Sequence, residues 1–116
     1  MLNLRTDMTE RRRGMDERFF GPQLEKAKAL YPYTSNKSMM GGVQVETFEP
    51  AVGIAPGNRK RVLINLHGSG FMLGGGGTGG AVESAPIAGV GRIKVVSVDY
   101  RMAPEHRFPA ATEDVA

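Results

Sequence analysis

The stretch Val62-Leu63-Ile64-Asn65-Leu66-His67-Gly68-Ser69-Gly70-Phe71 joins a short, mainly apolar run to a histidine and a glycine-rich loop. An apolar run of this length predicts a buried β-strand at Val62–Leu66. Eight of the 16 glycines in the chain lie between positions 68 and 80. Glycine tolerates positive φ and lets a ligand come close to the backbone, so we interpret the loop as a candidate site of chemistry.

A second β-rich run, Lys94-Val95-Val96-Ser97-Val98, follows a segment at 81–89 that we expect to be helical. Strands that are apolar on both faces are typical of parallel strands joined by a right-handed βαβ crossover and covered on both sides. The other patterns predict helices over 4–20 and 22–30 separated at Gly21-Pro22, a loop over 34–42, a strand over 43–49 and a helix over 110–116. The predicted class is α/β: N-terminal helices followed by the first strands of a mainly parallel sheet.

The composition excludes several classes of function. The chain has 116 residues, 41% of them hydrophobic, which suits one small domain. Neither a membrane span nor an apolar signal-peptide core is visible, and we expect a cytoplasmic protein. With no cysteine and two histidines, the sequence predicts no disulfide and no metal site. We also expect no cofactor.

The net charge of +3 invites a comparison with nucleic-acid-binding proteins. The basic run Arg11-Arg12-Arg13 is surrounded by Glu10, Asp16 and Glu17, and no aromatic residue interrupts it. At helical spacing these charges predict a solvated helix face of mixed sign. We therefore expect no nucleic-acid partner.

Two motifs, in order and about thirty residues apart, closely resemble the hormone-sensitive-lipase-like esterases of the α/β-hydrolase fold. The first is His67-Gly68-Ser69-Gly70-Phe71, and the second is Val96-Ser97-Val98-Asp99-Tyr100-Arg101-Met102-Ala103-Pro104-Glu105-His106-Arg107-Phe108-Pro109-Ala110-Ala111. The resemblance implies a helical cap and entrance region at 1–42 and the first part of a catalytic domain at 43–116. It also implies that the complete enzyme hydrolyses a small-molecule carboxylic ester.

In that family the His-Gly-Gly-Gly loop supplies backbone N–H donors to the oxyanion hole. The resemblance places Gly68, Ser69 and Gly70 at this hole, with Gly68 and Ser69 as the donors and Gly70 giving room or further support. Ser69 stands where the family usually has glycine, and its Cβ is expected to disfavour positive φ. The resemblance makes His67 a structural hydrogen-bonding residue. Asp99 and Tyr100 belong to the second motif, and we expect a structural role for Asp99.

Two further charged residues of the second motif, Arg101 and Glu105, are expected to pair across the Ala103-Pro104 turn. His106 is interpreted as a residue of the same turn.

The family's nucleophile lies in a Gly-x-Ser-x-Gly elbow, and its catalytic acid and histidine follow later in the chain. No serine of this sequence has that context. We therefore expect that the fold stops before the nucleophile elbow and that the chain is inactive alone, unless a complementing chain or a second copy completes the fold. An improvised triad of Ser69, Asp99 and His106 is a weak alternative. It places the nucleophile inside the loop of residues 67–72 that supplies the N–H donors, which we call the donor loop.

Two other classes of function compete with this interpretation. Residues 68–74 read as G-x-G-x-x-x-G after a strand, and Asp99 ends the next strand, as in a dinucleotide-binding Rossmann-like module. The glycines at 74–80 argue against it, because they are poor residues with which to begin a phosphate-binding helix. A non-catalytic binding or scaffold protein is the third possibility.

Overall fold

The computed structural model describes residues 4–116, with side chains from Asp7 onward. Helix α1 (Leu4–Met15) continues through a π-helical turn (Asp16–Phe20) into helix α2 (Gly21–Leu30). The predicted interruption at Gly21-Pro22 is wrong. The Gly21 N–H donates to the Asp16 carbonyl, and Pro22 lies in the first turn of α2, where a missing N–H costs little.

Four strands form one sheet in the order β1-β2-β4-β3. They are β1 (Tyr33–Met40), β2 (Val43–Pro50), β3 (Val62–Leu66) and β4 (Lys94–Val98). Strand β2 is antiparallel to both β1 and β4, whereas β3 and β4 are parallel. The α/β class and the βαβ crossover are confirmed. Among the described strands the sheet is mixed, because β2 is antiparallel to both of its neighbours.

The expectation of a loop over 34–42 is wrong, since most of that segment is strand β1. This strand is mostly polar and exposed, so it lacks the apolar alternation by which a strand is recognised. Its backbone pairs with β2 along its whole length. Gly41 and Gly42 form the tight turn between the two strands, both at positive φ, 55° and 83°, as two-residue hairpin turns require.

Helix α3 (Thr78–Gly91) crosses from β3 to β4 and is longer than the predicted 81–89. Its buried residues are all small, which lets the helix lie close to the sheet: Gly79, Gly80, Ala81, Ser84, Ala85 and Ala88. Phe48 and Val95, both fully buried, pack against Ala81 and Ala88 in this layer. Helix α4 (Ala110–Val115) follows the second motif, close to the predicted 110–116.

The two faces of β3 have different surroundings. Leu63 packs against the core beneath α3. Val62, Ile64 and Leu66 point to the other face and are 54%, 67% and 46% exposed, because side chains alternate along a strand. The expected burial of β3 on both faces is therefore wrong for the described chain.

Among residues 4–116, no helix has the length and apolar character needed to cross a bilayer.

Candidate functional site

The glycine-rich loop begins at the end of β3, at the edge of the sheet where the parallel strands β3 and β4 both finish. Three successive residues, Ser69, Gly70 and Phe71, have φ values of 81°, 65° and 64°. Although the Cβ of Ser69 was expected to disfavour positive φ, this serine adopts the left-handed conformation. Because Cβ makes this region costly for residues other than glycine, Ser69 and Phe71 are strained.

The backbone N–H groups of this loop differ in what they bind. The Gly68 N–H donates to Glu83 Oε1 at 3.3 Å. The N–H groups of Met72 and Leu73 both point to the Ser69 carbonyl, at 3.4 and 3.3 Å. In the described part of the chain, the N–H groups of Ser69 and Gly70 donate to no protein acceptor. Two adjacent donors are therefore open to a ligand.

His67 is 5% exposed and its ring stacks on Tyr100, with ring centroids 4.2 Å apart and planes 6° apart. Its Nδ1 lies 3.1 Å from the Gly68 carbonyl, which can only accept, so the geometry favours a proton on Nδ1. Nε2 is buried without a hydrogen-bond partner in the described residues. This histidine faces the protein interior.

Tyr100 completes this support from the end of β4. Its hydroxyl donates to the His67 carbonyl at 2.5 Å. Burial raises the pKa of Tyr100, and the carboxylates of Glu83 and Asp99 raise that pKa further. The phenol therefore stays protonated and keeps its donor role toward the loop at neutral pH.

Glycine is required at position 74 by close approach as well as by φ. A Cβ there would lie 3.0 Å from His67 Nδ1, and φ is +82°. The imidazole ring thus fills the space above this part of the loop.

Asp99 holds the second half of the glycine-rich loop. Its Oδ1 accepts a hydrogen bond from the Gly76 N–H at 3.1 Å, and its own N–H donates to the Gln44 carbonyl at 2.9 Å. In a dinucleotide-binding module this carboxylate would have to bind a ribose instead. Helix α3 also begins only at Thr78, well beyond the G-x-G-x-x-x-G segment, so the loop does not lead directly into a phosphate-binding helix.

The predicted ion pair between Arg101 and Glu105 is wrong. Residues 101–106 form an irregular turn, so positions four apart do not share a face as they do on a helix. Arg101 instead donates from Nε to both oxygens of Asp114, each at 3.0 Å, and an Nη atom lies 3.4 Å from Glu113. The hydrogen bond from Arg101 lowers the pKa of Asp114.

Glu105 pairs with Arg12 of helix α1, and this hydrogen bond lowers the pKa of Glu105. The expectation that the arginine run is a solvated face is therefore wrong for its middle residue, whose side chain is 20% exposed. A signal was available, since Arg12 lies four positions after Met8 on the same helix face, and Met8 is buried. Arg11 does follow the expectation, in a surface pair with Asp7.

One other residue at the site, Glu83, was missed from the sequence. Glu83, on α3, accepts hydrogen bonds from the Gly68 N–H and, at 3.0 Å, from the Asn65 side-chain amide. A lone acidic residue within a predicted helix carries no signal for such a contact.

The residues of the improvised triad serve other purposes. The Asp99 carboxylate binds the backbone of Gly76, and His106 is exposed. Within residues 4–116, no hydrogen bond joins Ser69, Asp99 and His106 to one another.

Comparisons with known proteins agree with this architecture. Residues 63–116 match the family model of the α/β-hydrolase fold. Over 53 residues the chain is 49% identical to the carboxylesterase NlhH of Mycobacterium tuberculosis. These residues make up 46% of this chain and 16% of that protein. The chain thus spans about a sixth of that relative's length.

Solved structures extend the likeness over most of the chain. The crystal structure of esterase E25 superposes with a TM-score of 0.75 and 29% identity, over 92% of this chain and 33% of that one. An esterase of the bacterial hormone-sensitive lipase family superposes with a TM-score of 0.60 and 29% identity, over 79% of this chain and 30% of that one. The fold class is that of the α/β hydrolases. Within it, the chain is similar in sequence and fold to one part of the hormone-sensitive-lipase-like esterases.

Proposed function

We propose that this chain carries the oxyanion-stabilising loop of a carboxylic-ester hydrolase, with the N–H groups of Ser69 and Gly70 as donors. One observation carries the proposal: these adjacent N–H groups have no acceptor among the described residues and lie where β3 and β4 end. Adjacent backbone N–H groups in a turn can together bind an anion. Of the two predicted donors, Gly68 is replaced by Gly70 in this proposal, because Glu83 already accepts the hydrogen bond of the Gly68 N–H.

The chemistry of ester hydrolysis explains the need for such donors. When a nucleophile attacks the ester carbonyl, its oxygen becomes negatively charged, and fixed N–H groups stabilise that charge without reorganising. Loss of one donor costs about 3–4 kcal/mol of transition-state stabilisation. Backbone donors do not depend on side-chain identity, so serine at position 69 retains the N–H that glycine would supply.

His67, Tyr100 and Asp99 act as supports in this proposal. His67 and Tyr100 stack beneath the start of the loop, and Asp99 holds its second half through Gly76. None of the three then takes part in proton transfer.

The nucleophile, acid and base of the reaction come, in this proposal, from polypeptide outside these 116 residues. Two features of the chain could contact that polypeptide. One is the exposed face of β3. The other is an open, largely apolar cavity of about 520 Å³ beside the loop, lined in part by Leu66, Phe71 and Val115. A complementing chain or a second copy would pack there. The 116-residue chain alone is expected to be inactive.

A two-part hydrolysis assay tests the proposal. The purified chain should not hydrolyse p-nitrophenyl butyrate, and turnover that Ser69→Ala abolishes would make Ser69 a nucleophile and contradict us. In the second part, residues 63–116 replace the matched segment of the mycobacterial carboxylesterase, which keeps its own nucleophile and base. We expect the graft to hydrolyse the ester. A folded but inactive graft, whose activity returns with Ser69→Gly, would show that this loop is not a working oxyanion hole.

A further inference from the structure

Arg12 links helix α1 to the donor loop. Its Nε donates to the Met72 carbonyl at 2.8 Å, and one Nη donates to the Ala103 carbonyl, also at 2.8 Å. The same guanidinium group pairs with Glu105. One side chain thus joins three segments that are distant in sequence: α1, the end of the donor loop and the turn after β4.

The donor loop needs such restraint because Ser69 and Phe71 are strained at positive φ. Strained backbone persists only where the surrounding structure fixes it. The Phe71 carbonyl accepts a hydrogen bond from the Ala103 N–H at 3.0 Å, and Arg12 binds the next carbonyl, that of Met72. Two successive peptide groups just after the open donors are therefore held in place.

We infer that Arg12 is a positioning residue, which holds residues 69–72 in the conformation that presents the Ser69 and Gly70 N–H groups to an oxyanion. The inference rests on the proposed function for the identity of the ligand, whereas the restraint itself is a property of the loop. A planar guanidinium fork with several N–H donors can reach two carbonyls and a carboxylate at once. A lysine at this position cannot reproduce that pattern.

The arginine run supplies matched controls. Arg11→Gln and Arg13→Gln remove the same charge from exposed positions of the same helix. Arg12→Gln removes it from a side chain that binds the loop.

Nuclear magnetic resonance of the 116-residue chain gives two readouts. In Arg12→Gln, hydrogen exchange at the Leu73 and Ala103 amides should become about tenfold faster, equivalent to about 1.4 kcal/mol. Exchange in the β1–β2 hairpin should not change. The strong intraresidue HN–Hα cross-peaks that mark positive φ should also weaken at Ser69 and Phe71.

Equal spectra and exchange in Arg12→Gln and Arg13→Gln would overturn the inference. Faster exchange throughout the hairpin with unchanged cross-peaks at Ser69 and Phe71 would also overturn it, because Arg12 would then only stabilise the fold. If Arg12→Gln does not fold, Arg12→Lys replaces it and must show the same pattern. None of these readouts involves hydrolysis, so a folded but inactive graft whose activity returns with Ser69→Gly would refute the proposed function without affecting this result.

Discussion

Replacing Gly80 with alanine should destabilise the contact between helix α3 and strand β4. Gly80 is buried, and a Cβ at this position would lie 2.3 Å from Ser97 Oγ, far inside normal van der Waals contact. The serine hydroxyl is also 3.4 Å from the Asn65 amide, so moving it away disturbs a contact at the base of the donor loop.

The magnitude follows from two opposing effects. Overpacking of a well-packed core costs about 1–3 kcal/mol, and because the contacted atom is a buried hydroxyl that can turn about χ1, this case lies near 2 kcal/mol. Alanine is preferred over glycine inside a helix by about 1 kcal/mol. The net loss in the free energy of unfolding is about 1 kcal/mol, which corresponds to a decrease in Tm of about 4 °C at about 4 °C per kcal/mol.

Urea denaturation of four variants tests this reasoning. In the Ser97→Ala background the nearest atom to the new Cβ is the residue 97 Cβ, at 3.4 Å, so Gly80→Ala should then cost less than about 0.5 kcal/mol. Gly57→Ala is the control, because no atom lies within 4 Å of its Cβ position. The reasoning is refuted if Gly80→Ala is as stable as the parent chain, or if Ser97→Ala does not relieve the loss.

Two further predictions concern the acidic residues and the loop. The pKa values of Glu105 and Asp114 are lowered from their usual 4.5 and 3.8 in the folded chain, so the stability that they contribute is present above those values and is lost as the pH falls through the lowered ones. Urea midpoints should therefore decrease in acid, and Asp114→Asn should show a smaller decrease; an identical acid limb would contradict the role of Arg101. Gly74→Ala should be more destabilising than Gly70→Ala. Both changes replace a glycine at positive φ, which alone costs about 1–2 kcal/mol, but only Gly74→Ala brings a Cβ against His67. Equal urea midpoints would show that the His67 contact is unimportant.

The sequence predicts the second half of the fold better than the first. Strands β3 and β4 are mainly apolar runs next to glycine or charge, so their type and limits can be identified from local pattern alone. Strand β1 differs, because its polar residues carry no alternation and its strand conformation depends on pairing with β2. The helical path through Gly21-Pro22 was missed because proline both ends helices and suits their first turn.

At the site, the position of the loop could be predicted from the sequence, whereas the hydrogen-bond partners of its residues could not. Motif resemblance identifies the loop around Ser69, but the direction of each N–H depends on φ values that the sequence does not specify. Arg12 and Glu83 act through contacts with residues far away in sequence. Such long-range partners become visible only when the segments are placed together, which is also why Arg101 and Glu105 were paired wrongly.

The position of β4 in the sheet has a consequence for the order of folding. Strand β4 lies between β2 and β3, yet it is the last of the four strands in the chain. During synthesis, the β1–β2 hairpin and β3 therefore have no common partner until residues 94–98 have left the ribosome. Since pairing of strands distant in sequence is slow, we expect Leu63 of β3 to stay exposed throughout that interval, and the donor loop to acquire its shape only after β4 has paired with β3.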